Sequence, residues 1–293
     1  MGQHFAFIAL LGQTNAGKST LINRLIGQKV SIISPKVQTT RTRVRGVLTE
    51  GETQLVLVDT PGIFKPKRRL DRAMLDATWT ESEDADKIIM LIDGVKGLEE
   101  TDLDIIKKAG QQMTLVVNKV DLVKKDKMLP LLEKINQLKE INQVFCVSAQ
   151  TGEGIKELKE FLLKSAPEAD WMFPEDELTD LPDRLFCAEI TREKLFLYLR
   201  QELPYQLTVE PVSFKETNNS IRIEQNIIVS KDAHKSIVLG AKGAMIKKIG
   251  ESARKEMTKQ LGKKVNLFLF VKVRENWIED INQYKTWGLN FNA

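Results

Sequence analysis

The sequence predicts an α/β domain with a mostly parallel sheet covered by helices on both faces, followed by a small α+β domain. Three observations carry this. Short apolar runs alternate with amphipathic helical stretches from residue 5 to about 165, the pattern of a parallel sheet wrapped by crossover helices. Pro167, Pro174 and Pro182 then interrupt the chain within sixteen residues. Beyond them the order becomes helix, strand, strand, helix, helix, strand. A chain of 293 residues is long enough for two cores.

The predicted strands of the first domain are Phe5–Leu11, Thr53–Asp59, Lys87–Asp93, Met113–Asn118 and Gln143–Val147. They are continuously apolar rather than alternating, as strands buried on both faces should be. Helices are expected at Lys18–Gly27, Leu70–Ser82, Glu99–Gly110, Pro130–Lys139 and Ile155–Ser165. The expected division is residues 1–166, a linker at 167–183, and 184–293. In the last part we expect helices at Thr191–Glu202, His234–Leu239 and Ala244–Leu261, and strands at Gln206–Lys215, Ser220–Val229 and Val265–Val273.

Composition excludes several classes. With 42% hydrophobic and 29% charged residues the chain reads as an ordinary globular protein. The apolar run at Phe5–Leu11 is too short to span a bilayer and lacks a cationic leader, and Met1-Gly2 is followed by Ala6 where acylation wants Ser or Thr. A cytoplasmic location is expected. Cys146 and Cys187 are far apart with no CxxC or His cluster, so both are expected to be core thiols. His4 and His234 read as surface and helix-start residues. The net charge of +4 is unevenly placed: residues 231–275 hold twelve Lys/Arg against four Asp/Glu.

Gly12-Gln13-Thr14-Asn15-Ala16-Gly17-Lys18-Ser19, with Thr20 behind it, is a GxxxxGKS loop between a strand and a helix. Its glycines let backbone N–H groups face a β-phosphate, Lys18 reaches the β- and γ-oxygens, and Ser19 ligates Mg²⁺. Asp59-Thr60-Pro61-Gly62 ends the second apolar strand, bringing Asp59 beside the metal and a Gly62 N–H to the γ-phosphate. Asn118-Lys119-Val120-Asp121 selects the base, because a carboxylate accepts from both guanine N1–H and the exocyclic amine, and adenine lacks that donor pair. Asn118 ties the base-binding loops together, and Ser148-Ala149 offers a backbone donor to the guanine oxygen. Together these define a P-loop NTPase of the G-domain type, using GTP/GDP and Mg²⁺.

Ile63 follows Gly62 where many GTPases carry a water-orienting glutamine. Asn15 is a candidate K⁺ ligand that supplies positive charge instead, or it simply favours the turn. Switch I is the stretch from Ser31 to Gly46, and Thr40, with Thr39 as the alternative, is expected to close on Mg²⁺. Lys18, Thr40 and Gly62 are thus the expected catalytic set. A nucleotide-gated scaffold with negligible turnover is the other reading of Ile63.

In the second part, Gly240-Ala241-Lys242-Gly243 lies between two helices, the position of a GxxG loop that clamps nucleic-acid phosphates. Met245, Ile249, Ala253, Met257 and Leu261 form the buried stripe of the long helix, and Lys247 and Lys248 lie off it among further cations. Ile237, Val238 and Ile246 are expected to line the apolar groove for unpaired bases.

Gln38-Thr39-Thr40-Arg41, the Asp59–Gly62 motif followed by a hydrophobic residue, Asn118–Asp121, Ser148-Ala149 and the C-terminal module resemble the bacterial Era GTPases over essentially the whole chain. That resemblance implies a type II KH domain, binding to the 3′ end of 16S rRNA, action in 30S subunit assembly, and peripheral association with the membrane; a monomer is expected. Trp287-Gly288-Leu289 departs from the Gly-Tyr ending of relatives.

Overall fold

A computed structural model describes residues 2–36, 39–41 and 44–293. Met1, and Gln38 and Thr42 of the switch I motif, lie outside the described residues. The chain divides into two compact units, Met1–Ser31 with Thr40–Asp180 and Lys285–Ala293, and Ile32–Thr39 with Leu181–Tyr284.

The first unit holds a six-stranded sheet in the order β2-β3-β1-β4-β5-β6. β1 (His4–Leu11), β3 (Thr53–Asp59), β4 (Lys87–Asp93), β5 (Met113–Asn118) and β6 (Ile141–Cys146) run parallel, and β2 (Val44–Glu50) pairs antiparallel with β3. The helices are α1 (Lys18–Ile26), α2 (Arg69–Glu83), α3 (Glu100–Ala109), α4 (Lys125–Ile135) and α5 (Ile155–Lys164). Residues on opposite faces of one strand enter separate cores: Ile8 and Leu10 join the cluster containing Leu21, Leu158 and Leu162, and Leu11 joins that of Ile105, Ile106 and Leu131. Each such side chain contributes about 1.5–3 kcal/mol on burial.

β2 was not expected. Its sequence, Val44-Arg-Gly-Val-Leu-Thr-Glu50, is broken by Arg45 and Gly46 and so shows no continuous apolar run, and it is held by cross-strand pairing with β3 and by the burial of Val44, Val47 and Leu48. β6 is half-exposed along most of its length, as an edge strand should be, which corrects the expectation of burial on both faces. Cys146 accordingly is only partly buried, whereas Cys187 is fully so and burial pushes its thiol up to about 12. α4 begins five residues before Pro130, which sits inside the helix and not at its start. The stretch read as a linker is packed: the Gln54 side chain donates to the Phe173 carbonyl at 2.9 Å, and the Val47 N–H donates to Leu178 at 2.9 Å. It therefore runs along β2 and β3 within the first unit.

The second unit contains α6 (Asp183–Tyr198), β7 (Leu207–Glu216), β8 (Ser220–Val229), α7 (Asp232–Leu239), α8 (Ala244–Leu261) and β9 (Lys264–Val273), with α9 (Ile281–Thr286) following. β8 is central, antiparallel to β7 and parallel to β9. α6 starts eight residues earlier than expected because Pro182 stands at its N-cap, where fixed φ and a missing N–H cost nothing. Among the described residues no helix is long and apolar enough to cross a membrane.

Candidate functional site

The loop from Gly12 to Ser19 joins β1 to α1, with left-handed Gly17 as the N-cap. Lys18 is buried beneath it, its Nζ donating to the carbonyls of Gly12 at 2.9 Å and Gln13 at 3.0 Å. Burial lowers its pKa to about 8, against the opposing pull of Asp59 and Asp102. A phosphate oxygen is the natural partner for an ammonium held this way. Gly62 packs onto the loop so closely that a Cβ there would lie 2.7 Å from Thr14 Cα, so this position has no room for a side chain.

Asp59 ends β3 with 0% exposure. Its Oδ2 accepts from Ser19 Oγ at 2.7 Å and Thr40 Oγ1 at 3.2 Å, and from the Ser31 hydroxyl. Its Oδ1 has no hydrogen-bond partner among the described residues. Burial raises its pKa above the ordinary carboxylate range, while the three hydroxyls and Lys18 oppose that shift. A buried carboxylate with an unpartnered oxygen beside two hydroxyls is an oxygen-donor set suited to a hard divalent cation. Thr40 belongs to this cluster, whereas the Thr39 hydroxyl donates to Lys36 O at 2.8 Å and pairs with Ser34 Oγ at 2.9 Å.

Asn118 is the hub of the opposite end. Its Nδ2 donates to Ala16 O at 2.8 Å and its Oδ1 accepts from the Ala149 N–H at 3.0 Å, tying three loops together. Lys119 is left-handed and pairs with Asp93 at 2.6 Å. Asp121 is exposed in the short 3₁₀ turn Val120–Leu122. The Ser148 N–H donates to Glu153 O at 3.0 Å, so of the Ser148-Ala149 pair neither amide is idle.

Ile63 turns inward, packing against the core of Leu11 and Ile105, with its N–H donating to Gly12 O at 3.0 Å. It contributes no polar atom to a water. Asn15 is exposed and left-handed at φ 64°, a conformation Asn tolerates better than most residues. Two supports were invisible in sequence. Ser31, from a separate loop, holds Asp59. Glu99 and Asp102, at the start of α3, both accept from Gln13 Nε2, at 3.1 and 3.0 Å.

In the second unit, Gly240 has φ 71°, and a Cβ there would lie 2.7 Å from Met245 Cβ. Ala241 and Lys242 are exposed at the loop tip, and Lys247 and Lys248 are exposed on α8. Ile249, Ala253 and Met257 are buried, as the periodicity required, with Met245 and Leu261 partly so. Val238 is not in a groove: at 0% exposure it belongs to the core, while Ile237 is 54% exposed. A groove of about 330 Å³ lies between α8 and β9, with Ile246, Leu267 and Leu269 as apolar lining and Lys247 and Arg254 as cations beside Glu251.

Comparison with known proteins agrees with this geometry. A family model described as a 50S ribosome-binding GTPase matches residues 7–119, and a KH-domain model matches residues 202–278. The GTPase Era of Bradyrhizobium sp. (strain ORS 278) is 50% identical over 289 residues, covering 97% of this chain and 94% of that protein. The chain belongs to the Era GTPases. The Brucella suis Era is likewise 50% identical, over 97% of this chain and 93% of its own. A solved Era in complex with MgGDPNP and nucleotides 1506–1542 of 16S ribosomal RNA has a TM-score of 0.92 and 37% identity, covering 98% of this chain and 99% of that one. An Aquifex aeolicus Era variant bound to GDP·AlF4⁻ matches with the same TM-score, identity and coverage. The chain is thus a GTPase with a C-terminal KH domain.

Proposed function

We propose that this chain binds GTP with Mg²⁺ at the loop Gly12–Thr20, hydrolyses it, and uses the nucleotide state to control binding to the 3′ end of 16S rRNA in 30S subunit assembly. The observation that carries the nucleotide half is the buried Asp59 carboxylate with its unpartnered oxygen beside Ser19 and Thr40. These three residues would hold Mg²⁺, which when bound offsets phosphate charge as the γ-phosphoryl leaves. Lys18 and the backbone N–H of Gly62 hold the γ-phosphate oxygens in place. Thr60, Pro61 and Ile63 shape the loop that follows, and Asn118, Lys119 and Asp121, on the turn with Val120, hold guanine.

Ile63 packs against the core and cannot orient water, so hydrolysis draws on another group, and we assign to K⁺ held through Asn15 the positive charge that an arginine finger supplies elsewhere. The RNA half rests on the Gly240–Gly243 loop and the basic groove of α8. Switch I joins the halves. Thr40 sits in the Asp59 cluster, while just before it the Ile33 N–H donates to Glu193 Oε1 at 2.9 Å and Lys36 Nζ donates to Leu199 O at 2.8 Å, both on or at the end of α6. Ordering of Thr40 is therefore felt at α6. Peripheral contact with a membrane and a monomeric state belong to this reading through family resemblance.

Hydrolysis measured with and without a 16S 3′-end RNA, in potassium and again in sodium buffer, tests it. Stimulation by RNA and a faster rate in potassium are expected. No RNA effect in either buffer contradicts the coupling, and equal rates in both contradict the role of Asn15.

A further inference from the structure

β9 presents two different faces. Val265, Leu267, Leu269 and Val271 turn toward the helices, whereas Asn266, Phe268 and Phe270 face solvent, the two rings 39% and 51% exposed. Exposing two phenylalanines at adjacent same-face positions is unusual unless something covers them. Their Cα atoms are about 7 Å apart along the strand, so each ring can receive its own flat partner.

The charge around the rings indicates what that partner is. Glu224 beside Phe268 is neutralised by Arg222 at 2.9 Å, and Glu210 by Arg274 at 2.6 Å. Lys264 and Lys272, at the two ends of β9, form no ion pair with any described residue. The balance left over is cationic. Arg222 adds a planar surface of its own, its guanidinium 4.2 Å above the Phe268 ring. Planar rings, a stacked guanidinium and unpaired lysines match a polyanion with π-faces, which is single-stranded nucleic acid. Leu267 and Leu269 of the same strand line the α8–β9 groove, so a chain leaving that groove over the edge strand meets Phe268 next.

We propose that the exposed edge of the KH sheet, with Phe268 and Phe270 on its edge strand, is a second single-stranded-RNA site where two unpaired bases stack outside the α8–β9 groove. It rests on the RNA reading above, and extends the footprint of that reading beyond the roughly four nucleotides a GxxG groove clamps.

The test uses the full chain and two labelled single-stranded RNAs from the 16S 3′ end, of about five and about twelve nucleotides, the shorter filling the groove alone. Fluorescence anisotropy is expected to show Phe268→Ala/Phe270→Ala weakening the longer RNA by about tenfold or more per ring, with the shorter unaffected. Phe270→Trp keeps the longer RNA's affinity, and Lys272→Gln lowers its salt dependence. Lys242→Glu weakens both RNAs. Unchanged affinity for the longer RNA in the double variant overturns the proposal and leaves the face to a protein partner. An equal loss for both lengths also overturns it. Failure of the unmodified chain to bind either RNA overturns the RNA reading itself and this site with it.

Discussion

Asp121→Asn is expected to turn the base preference from guanine toward xanthine. The carboxylate stands exposed at the Val120–Leu122 turn, while Asn118 is committed to Ala16 and Ala149 and Lys119 to Asp93. Only Asp121 is left to accept from both guanine N1–H and the exocyclic amine. An amide offers one acceptor and one donor, so the amine faces a donor and the pair is broken. Xanthine carries a carbonyl where guanine carries the amine, and the amide complements it. Sites built to hydrogen-bond a group reject analogues lacking it by about 10⁴–10⁵-fold, and a loss of guanine nucleotide affinity approaching that range is expected. Nucleotide titrations with GDP and XDP measure it. A variant that binds GDP as tightly as the unmodified chain would show that Asp121 does not read the base.

Asp59→Asn is expected to move stability and activity in opposite directions. Burial raises the pKa of Asp59, so its folded value lies above its unfolded one. A group shifted this way contributes stability below the unfolded pKa, and that contribution is lost as pH rises through the folded pKa. Above its unfolded pKa the buried carboxyl is therefore a cost to the nucleotide-free chain, and the amide removes it while its oxygen still accepts from Ser19, Thr40 and Ser31. The melting temperature without nucleotide should rise. Loss of the anionic ligand should lower Mg²⁺-dependent GTP hydrolysis by at least roughly 10²-fold, the scale on which a metal's charge stabilisation acts. A variant with full hydrolysis, or one that melts lower without nucleotide, contradicts the assignment of Asp59.

The parts legible in sequence are those whose chemistry is contiguous. Gly12–Ser19 and Asn118–Asp121 announce themselves because consecutive residues surround one phosphate or one base. Four of the five parallel strands were legible because burial on both faces writes an apolar run; β6, half-exposed at the sheet edge, does not share that burial. What escaped is what tertiary contact decides. β2 carries no apolar run and exists through its pairing with β3. Thr39 and Thr40 are identical in type, and only the fold sends one hydroxyl to Asp59 and the other to Lys36. Ser31, at the start of switch I, and Asp102, in the first turn of α3, support the site from outside the motifs that name it. Val238, expected in the groove, lies in the core, and Leu267 lines the groove instead, because periodicity tells a buried position from an exposed one, but not a core from a groove wall.

The central claim is that nucleotide state and RNA binding are coupled through the stretch that ends at Thr40. Titrating the full chain with RNA spanning nucleotides 1506–1542 of 16S rRNA, once with MgGDP and once with a non-hydrolysable GTP analogue, measures that coupling directly. The account predicts tighter RNA binding in the GTP-analogue state by about 5–150-fold, with the same factor recovered when nucleotide is titrated against the RNA complex. Equal RNA affinity in the two states would contradict it.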